Sequence, residues 1–233
     1  MQAVVLVGGS ATRLRPLTLT MPKALIELQG KPILEHVFEL FKRHGITDII
    51  LSVGYLQEQI ITHCADGKKL GLHIQYIREA TPLGTAGPLR HLPQPMTETF
   101  IVCNGDELKD VNIPAMLKAH RRSGALATLA LTRVADPSMY GVARLEGEKI
   151  LEFVEKPKRE AAPSNLINAG FYLLEPAVLA MIPEGKAMFE YDVFPQLAKQ
   201  GKLFGFEFSG QWFDTGNFER LEKSRKEWKG YQA

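Results

Sequence analysis

The chain has 233 residues, 45 % of them hydrophobic and 23 % charged, with a formal net charge of +2. These values are ordinary for a folded globular protein and exclude disorder, while the scattered Lys and Arg, with no basic block interleaved with aromatics, argue against a nucleic-acid partner. No apolar run is long enough to cross a bilayer, and the first residues lack the basic leader of a signal or transit peptide, so a soluble cytoplasmic domain with no membrane association is expected.

Residues 3–7 are a continuous apolar run cut off by Gly8-Gly9, the pattern of a fully buried parallel strand. From residue 31 to 44 the apolar side chains of Ile33, Leu34, Val37, Phe38, Leu40 and Phe41 recur at helical spacing, with Gly45 placed to stop the helix. Residues 46–53 read as a second strand, Leu56, Ile60 and Ile61 as a short helix, and residues 73–79 and 99–102 as strands, with a helix between those two beginning near Gly84-Thr85. Such alternation requires crossover connections. The expected class is therefore α/β: a Rossmann-like, mixed but mostly parallel sheet with helices on both faces.

Past residue 110 the pattern loosens. A helix opened by Pro114 is expected over 113–122, and a strand over 125–134. A hairpin across Gly147-Glu148 and a further strand over 166–174 bring antiparallel elements into the sheet. Residues 191–199 read as helix, 203–208 as strand and 218–228 as a closing amphipathic helix. No repeat and no linker rich in Pro, Gly or Ser divides the chain, so residues 1–233 are expected to share one domain. Cys64 and Cys103, far apart in sequence, read as small buried apolar residues that form neither a disulfide nor a metal site.

The chemistry concentrates after the first strand, in Gly8-Gly9-Ser10-Ala11-Thr12-Arg13-Leu14-Arg15-Pro16-Leu17-Thr18, followed by Pro22-Lys23. Glycines after a buried strand let backbone N–H groups approach a phosphate or a base. The dinucleotide fingerprint G-x-G-x-x-G and the Gly-Lys-Ser/Thr of a P-loop are both absent. What remains is a glycine loop with Arg13 and Lys23 at the carboxyl end of a first strand, where open α/β sheets bind ligands. The bland alternative is a plain turn carrying two solvated cations.

These residues resemble the sugar-1-phosphate nucleotidyltransferases, or sugar-nucleotide pyrophosphorylases, whose opening signature is Gly-Gly-x-Gly-Thr-Arg-Leu, then Pro-Leu-Thr and Pro-Lys. Further motifs follow in the family's order: Pro82-Leu83-Gly84-Thr85-Ala86-Gly87, Asn104-Gly105-Asp106, Tyr140-Gly141-Val142, Phe153-Val154-Glu155-Lys156-Pro157, Asn168-Ala169-Gly170 and Trp212-Phe213-Asp214-Thr215-Gly216. The resemblance implies a nucleotide-diphospho-sugar transferase fold, with residues 1–110 binding nucleotide and 111–233 binding sugar phosphate, and a homodimer is allowed. Ala11 stands where the family usually has glycine. If that position needs a positive φ, alanine is strained there by about 1 kcal/mol; if not, its methyl only narrows the loop.

The implied reaction is attack by a sugar-1-phosphate oxygen on the α-phosphorus of a nucleoside triphosphate, releasing pyrophosphate. Two unit charges about 4 Å apart repel by about 4 kcal/mol at an effective dielectric near 20, so the meeting of two polyanions needs cations to offset it. Arg13 suits the triphosphate oxygens as a planar fork and Lys23 the α-phosphate as a point charge. Asp106 and Asp214, each at a strand end, are implied as catalytic ligands of Mg²⁺. The resemblance assigns Gly8, Gly9, Ser10, Ala11, Thr12, Glu79, Gly84 and Thr85 to the nucleotide, and Gly141, Glu155, Lys156 and Asn168 to the sugar phosphate. Glu107 and Asp110 read as turn or surface charges.

Glu79 stands where thymidylyl- and uridylyltransferases of the family tend to carry glutamine and guanylyltransferases glutamate. An acceptor-only carboxylate can take guanine's adjacent N1–H and N2–H together, whereas a pyrimidine N–H flanked by carbonyls suits an amide. Residues 189–195 further resemble mannose-1-phosphate guanylyltransferases. The expected enzyme transfers a guanylyl group to mannose 1-phosphate or a related manno-configured sugar. The alternatives are a uridylyl- or thymidylyltransferase acting on glucose 1-phosphate or another sugar phosphate, or a catalytically silent sugar-nucleotide-binding regulatory subunit. Few residues follow Asp214, so no appended β-helix acyltransferase is expected.

Overall fold

The structure, a computed structural model, describes residues 1–231. The chain packs as two compact units: Met1–Pro82, Cys103–Asp110 and the segment from Gly210 onward form the first, and Leu83–Val102 with Val111–Ser209 form the second.

In the first unit the strands His73–Arg78, Asp48–Val53 and Ala3–Leu6 lie side by side in that order and all parallel, with Ala3 opposite Ile49 and Asp48 opposite His73. The helix Ile33–Arg43 supplies the crossover from Ala3–Leu6 to Asp48–Val53, and Gln57–Cys64, where a short helix was expected, the one to His73–Arg78. The apolar positions of Ile33–Arg43, spaced three and four apart, bury Ile33, Leu34, Val37, Phe38, Leu40 and Phe41, and Gly45, at φ +68°, turns the chain out of it. Each such side chain contributes about 1.5–3 kcal/mol by leaving water, so Phe38→Ala would be among the more damaging single changes. Three 3₁₀ turns, Thr12–Leu14, Leu17–Leu19 and Lys23–Leu25, carry the chain out of the glycine loop. The strand Trp212–Asp214 pairs antiparallel with Glu107–Lys109, setting Asp214 opposite Glu107. The closing helix Phe218–Glu227 is capped by Asn217, whose side chain accepts the Arg220 N–H at 2.8 Å, and Trp228 beyond it packs edge-on against Phe213 and His36.

In the second unit Leu166–Leu174 runs antiparallel to Ala127–Arg133, and Leu203–Glu207 parallel to it. The expected hairpin forms: Gly141–Glu146 and Lys149–Glu155 pair antiparallel across the two-residue turn, and Lys149–Glu155 also lies antiparallel to Leu203–Glu207. The α/β class and the mixed sheet are as expected, but parallel pairing dominates only the first unit. Tight hairpins cannot join parallel strands, so Gly141–Glu146 and Lys149–Glu155 must pair antiparallel. The helix Ile113–Ser123 starts at an Asn112 cap with Pro114 in its first turn and ends at Gly124, φ +63°.

The helix expected near Gly84 is only a five-residue 3₁₀ segment, Gly87–His91. The Ala86 and Gly87 N–H groups donate instead to the Ala187 carbonyl, at 2.9 and 3.1 Å. The helix expected over 191–199 begins with a π turn, Phe189–Val193, before Phe194–Lys199. Phe189 and Phe194 stack with centroids 5.3 Å apart, and Tyr172 packs on both.

Among the described residues no helix is long and apolar enough to cross a membrane. Cys64 and Cys103 are buried and free, and burial pushes their thiols up to about 12 and about 11, so neither is a thiolate near neutral pH.

Candidate active site

Where the first strand ends, the chain bends into the glycine loop with its backbone still tied to the next strand. The Val7 N–H donates to Ser52 at 2.9 Å, and the Gly8 carbonyl accepts the Tyr55 N–H at 3.1 Å. A Cβ on Gly8 would stand 2.7 Å from Oε1 of Glu79, whereas one on Gly9 would meet nothing within 4 Å. A side chain at Gly8 would displace the Glu79 carboxylate, whereas Gly9 opens outward. Ser10, Thr12 and Arg13 are exposed. Ala11 adopts φ +44° and ψ +49°, so it occupies the left-handed region that favours glycine and carries about 1 kcal/mol of strain. Its carbonyl accepts both the Leu14 N–H and the Thr18 hydroxyl at 3.0 Å, which pins the strained residue.

Beneath the loop lies a pocket of about 110 Å³ bounded by Gly9, Ala11, Arg13, Lys23, Asp106 and Gly216. Lys23 is 7 % exposed, and its Nζ donates to Oδ2 of Asp106 at 2.8 Å. Burial alone would push the Asp106 carboxyl up, but the charge and hydrogen bond of Lys23, helped by Lys109, hold it below its ordinary value. Asp106 reaches this place because Gly105 presses against the first strand: its N–H donates to Leu6 at 3.0 Å, and a Cβ would run into the Val5 and Val7 side chains.

Asp214 belongs to the same unit. Its Oδ1 accepts the Gly216 N–H at 2.6 Å and its Oδ2 takes the Arg220 guanidinium. The Thr215 hydroxyl donates to the Asp106 carbonyl at 2.6 Å, tying the two acidic segments together. A Cβ on Gly216 would stand 3.1 Å from Nη2 of Arg13, so the glycine lets the guanidinium approach this turn. Glu107 corrects its reading as a turn or surface charge. It lies in a strand with its side chain only 16 % exposed, and it accepts from the Asn104 amide at 2.9 Å, the Trp212 indole at 3.3 Å and Lys109 at 3.4 Å. Burial raises its carboxyl, with the Lys109 charge opposing and Asp106 and Asp214 reinforcing the rise. Asp110 is half-buried, its N–H donating to Gln211 at 2.8 Å.

Glu79 sits at the end of the strand His73–Arg78 with its N–H on Val53 at 2.8 Å and the Ser52 hydroxyl on its Oε1 at 2.7 Å. That holds the carboxylate against the glycine loop.

The second unit carries the other expected residues. Gly84, at φ +82°, is hard against the Ala187 carbonyl, where a Cβ has no room. The Thr85 hydroxyl donates to Oε2 of Glu190 at 2.6 Å and accepts the Phe189 N–H at 3.0 Å. Gly141 lies under the Phe153 ring and 2.8 Å, counted from a built Cβ, from Oε2 of Glu155. Lys156 follows at φ +48°, its N–H on Tyr140 at 3.0 Å and its Nζ 2.9 Å from Oε1 of Glu155. The hydrogen bond to Glu155 raises the lysine's pKa, with burial opposing it, so it is fully charged near neutrality. Asn168 donates to the Tyr172 hydroxyl at 2.8 Å and accepts the Gly170 N–H at 3.0 Å.

The first unit thus gathers the glycine loop, Arg13, Lys23, Asp106, Asp214 and Glu79, and the second gathers Gly84, Thr85, Gly141, Glu155, Lys156 and Asn168. Sequence reasoning passed over Arg220, which pairs with Asp214, and Lys109, which pairs with Glu107. Both partners are close in sequence, Glu107 two residues before Lys109 on the same strand and Asp214 six residues before Arg220, but neither pair falls in a recognisable motif.

A family model described as nucleotidyl transferase matches residues 2–229. The chain belongs to the nucleotidyl transferase family. Among curated members it is 43 % identical over 222 residues to the mannose-1-phosphate guanylyltransferase catalytic subunit beta of Danio rerio, covering 93 % of this chain and 61 % of that protein. It therefore spans about three-fifths of such relatives. Solved structures of like fold include a putative glucose-1-phosphate thymidylyltransferase from Bacillus anthracis in complex with sucrose, with a TM-score of 0.87 at 26 % identity, covering 97 % of this chain and 94 % of that one. HddC from Yersinia pseudotuberculosis complexed with GMP-PN aligns with a TM-score of 0.80 at 26 % identity, covering 98 % and 99 % of the two chains.

Proposed function

We propose that this chain is a Mg²⁺-dependent guanylyltransferase that joins GTP and mannose 1-phosphate, or a closely related manno-sugar phosphate, into a nucleotide sugar with release of pyrophosphate. The observation that carries this reading is the gathering of Arg13, Lys23 and Asp106 around one pocket under the glycine loop. The choice of substrates is supported by the 43 % identity to a mannose-1-phosphate guanylyltransferase subunit and by the carboxylate at Glu79. The first unit would take the nucleotide and the second the sugar phosphate, in a reducing compartment.

Each side chain then has a task. The open N–H groups around Gly9 and the exposed Ser10 and Thr12 receive triphosphate oxygens, and Arg13 forks onto them. Lys23 leaves Asp106 for the α-phosphate and offsets the charge that builds there as the sugar-phosphate oxygen bonds to the α-phosphorus and the bond from that phosphorus to the α,β-bridging oxygen breaks, releasing pyrophosphate. Glu79 accepts from the guanine edge. Lys156 holds the phosphate of the incoming sugar, and Glu155 and Asn168 take its hydroxyls.

Asp106 and Asp214 offer hard carboxylate oxygens at two adjacent turns, a donor set that fits Mg²⁺, which needs only one or two protein carboxylates beside phosphate and water. When bound, that ion supplies charge neutralisation of the phosphates. Among the described residues no cluster of three or more His, Cys, Asp or Glu is arranged as a ready-made metal cage.

The test is a matrix of four nucleoside triphosphates against mannose 1-phosphate and glucose 1-phosphate with Mg²⁺, read as pyrophosphate release for the wild type and Glu79→Gln. GTP with mannose 1-phosphate should dominate, and the variant should lose base preference. Turnover only with a pyrimidine nucleotide would replace the base assignment, and silence throughout would leave a nucleotide-binding regulatory chain.

A further inference from the structure

Glu190 lies in the second unit and has no part in the scheme above. It is only 8 % exposed, and a carboxylate rarely sits so deep without partners to hold it. Its Oε2 accepts the Thr85 hydroxyl at 2.6 Å, and that hydroxyl also accepts the Phe189 N–H at 3.0 Å, so one threonine clamps both the turn and the carboxylate it carries. The turn is a single π turn, Phe189–Val193, a distortion that recurs at functional sites. The segment bearing Thr85 is fastened to the same place. Leu83 accepts from Ala187 at 2.9 Å, and Ala86 and Gly87 donate back to the Ala187 carbonyl. The visible work of the second glycine segment is therefore to hold residues 187–190.

The surroundings of Glu190 indicate what it is held for. It is within electrostatic reach of Glu155 and of Lys156, and Lys156 feels Glu155 most strongly, then Tyr191 and Glu190. Glu155, with 7 % of its side chain exposed, is the second buried carboxylate of the cluster, while Lys156 is 56 % exposed and is the group that can meet a phosphate. Burial raises the Glu190 carboxyl and the Thr85 hydrogen bond opposes that rise. Two acceptor-rich carboxyls beside one phosphate-binding ammonium are matched to a molecule with a phosphate at one end and hydroxyl donors at the other. A site meant for phosphate alone would be weakened by them.

We infer that Glu190, fixed by Thr85, is a specificity-determining residue that accepts a hydrogen bond from a ring hydroxyl of the sugar 1-phosphate and so discriminates between sugar epimers. This rests on the proposed reaction only in assigning Lys156 to the sugar's phosphate. A carboxylate discriminates by what it loses: an epimer whose hydroxyl points elsewhere leaves a buried acceptor unpaired.

The experiment compares wild type, Glu190→Gln and Thr85→Val by calorimetric titration with mannose 1-phosphate, glucose 1-phosphate and inorganic phosphate, alongside steady-state kinetics with GTP and thermal melting. Glu190→Gln should weaken mannose 1-phosphate binding about tenfold or more and shrink its preference over glucose 1-phosphate, while the KM for GTP and the binding of inorganic phosphate change less than twofold. Thr85→Val should shift selectivity in the same direction by a smaller factor. Unchanged selectivity in a folded Glu190→Gln protein, or a change confined to the KM for GTP, overturns the assignment and leaves the proposed reaction standing. A wild type that binds both sugar phosphates without turning them over defeats the proposed reaction while the same titrations still judge Glu190. A wild type that binds neither defeats both.

Discussion

The two glycine segments look alike in sequence and are used in opposite ways. At Gly9 of the first unit the space where a side chain would stand is empty, whereas at Gly84 and Gly87 of the second it is filled by the Ala187 and Gly185 carbonyls. The first leaves N–H groups for a guest. The second spends its freedom on a close approach to the protein's own backbone. A glycine-rich motif therefore announces that something will come close, without saying whether it is substrate or chain.

The sharpest way to break this contrast is at the base of the open loop. Asp106→Asn should lower pyrophosphate release by about 10²–10³-fold or more, since it removes an electrostatic partner of the phosphates. Retained turnover would remove Asp106 from the catalytic group. Next comes a matched pair of substitutions. Gly84→Ala must adopt a positive φ against a carbonyl, and strain plus overpacking should cost about 2–4 kcal/mol, a fall of several degrees in Tm. Gly9→Ala should leave Tm nearly unchanged while weakening GTP binding about tenfold, because a methyl enters the space kept for phosphate. If the two variants melt alike, the contrast is wrong.

The next largest effect concerns the Lys23–Asp106 pair. Lys23→Met frees Asp106 from its ammonium, so Mn²⁺ or Mg²⁺ should bind the nucleotide-free protein about tenfold more tightly in calorimetry, although turnover falls. Unchanged or weaker metal binding would show that Lys23 does not compete for that carboxylate.

Glu190 offers a smaller, pH-dependent effect. Its carboxyl is raised above the ordinary 4.5, so its protonated form favours the fold. That contribution is complete below pH about 4.5 and is lost as pH climbs through the raised value. Glu190→Gln should accordingly melt higher than wild type at pH 7, with the gap closing near pH 4. The smallest effect is at Ala11. Ala11→Gly relieves about 1 kcal/mol of left-handed strain but adds about 0.4–1 kcal/mol of unfolded-state freedom, so Tm should barely move.

What the sequence made legible follows from how local the signal was. The three parallel strands of the first unit, the Ile33–Arg43 helix and the hairpin across Gly147-Glu148 were readable because each is announced by period, cap or turn residues a few positions apart. Lys23 and Asp106 could be named as candidates, but nothing between residues 23 and 106 says that they bond, since that contact depends on Gly105 seating against the first strand. The helix expected at Gly84 failed for the same kind of reason. Its donors were claimed by Ala187, a hundred residues on, and no local propensity reports such a competitor. The positive φ of Ala11 was undecidable from its name, because alanine neither demands nor advertises that conformation.

The antiparallel pairing of Trp212–Asp214 with Glu107–Lys109 has a consequence for how the molecule comes into being. The ribosome must add some two hundred residues after the glycine loop before Asp214 can be seated beside it. Closing so long a span is entropically slow, and sheet edges wait uncovered meanwhile. The first unit is begun before the second and completed after it, so a chain cut short after the second unit has its lysine and its glycines but only half of its acid pair.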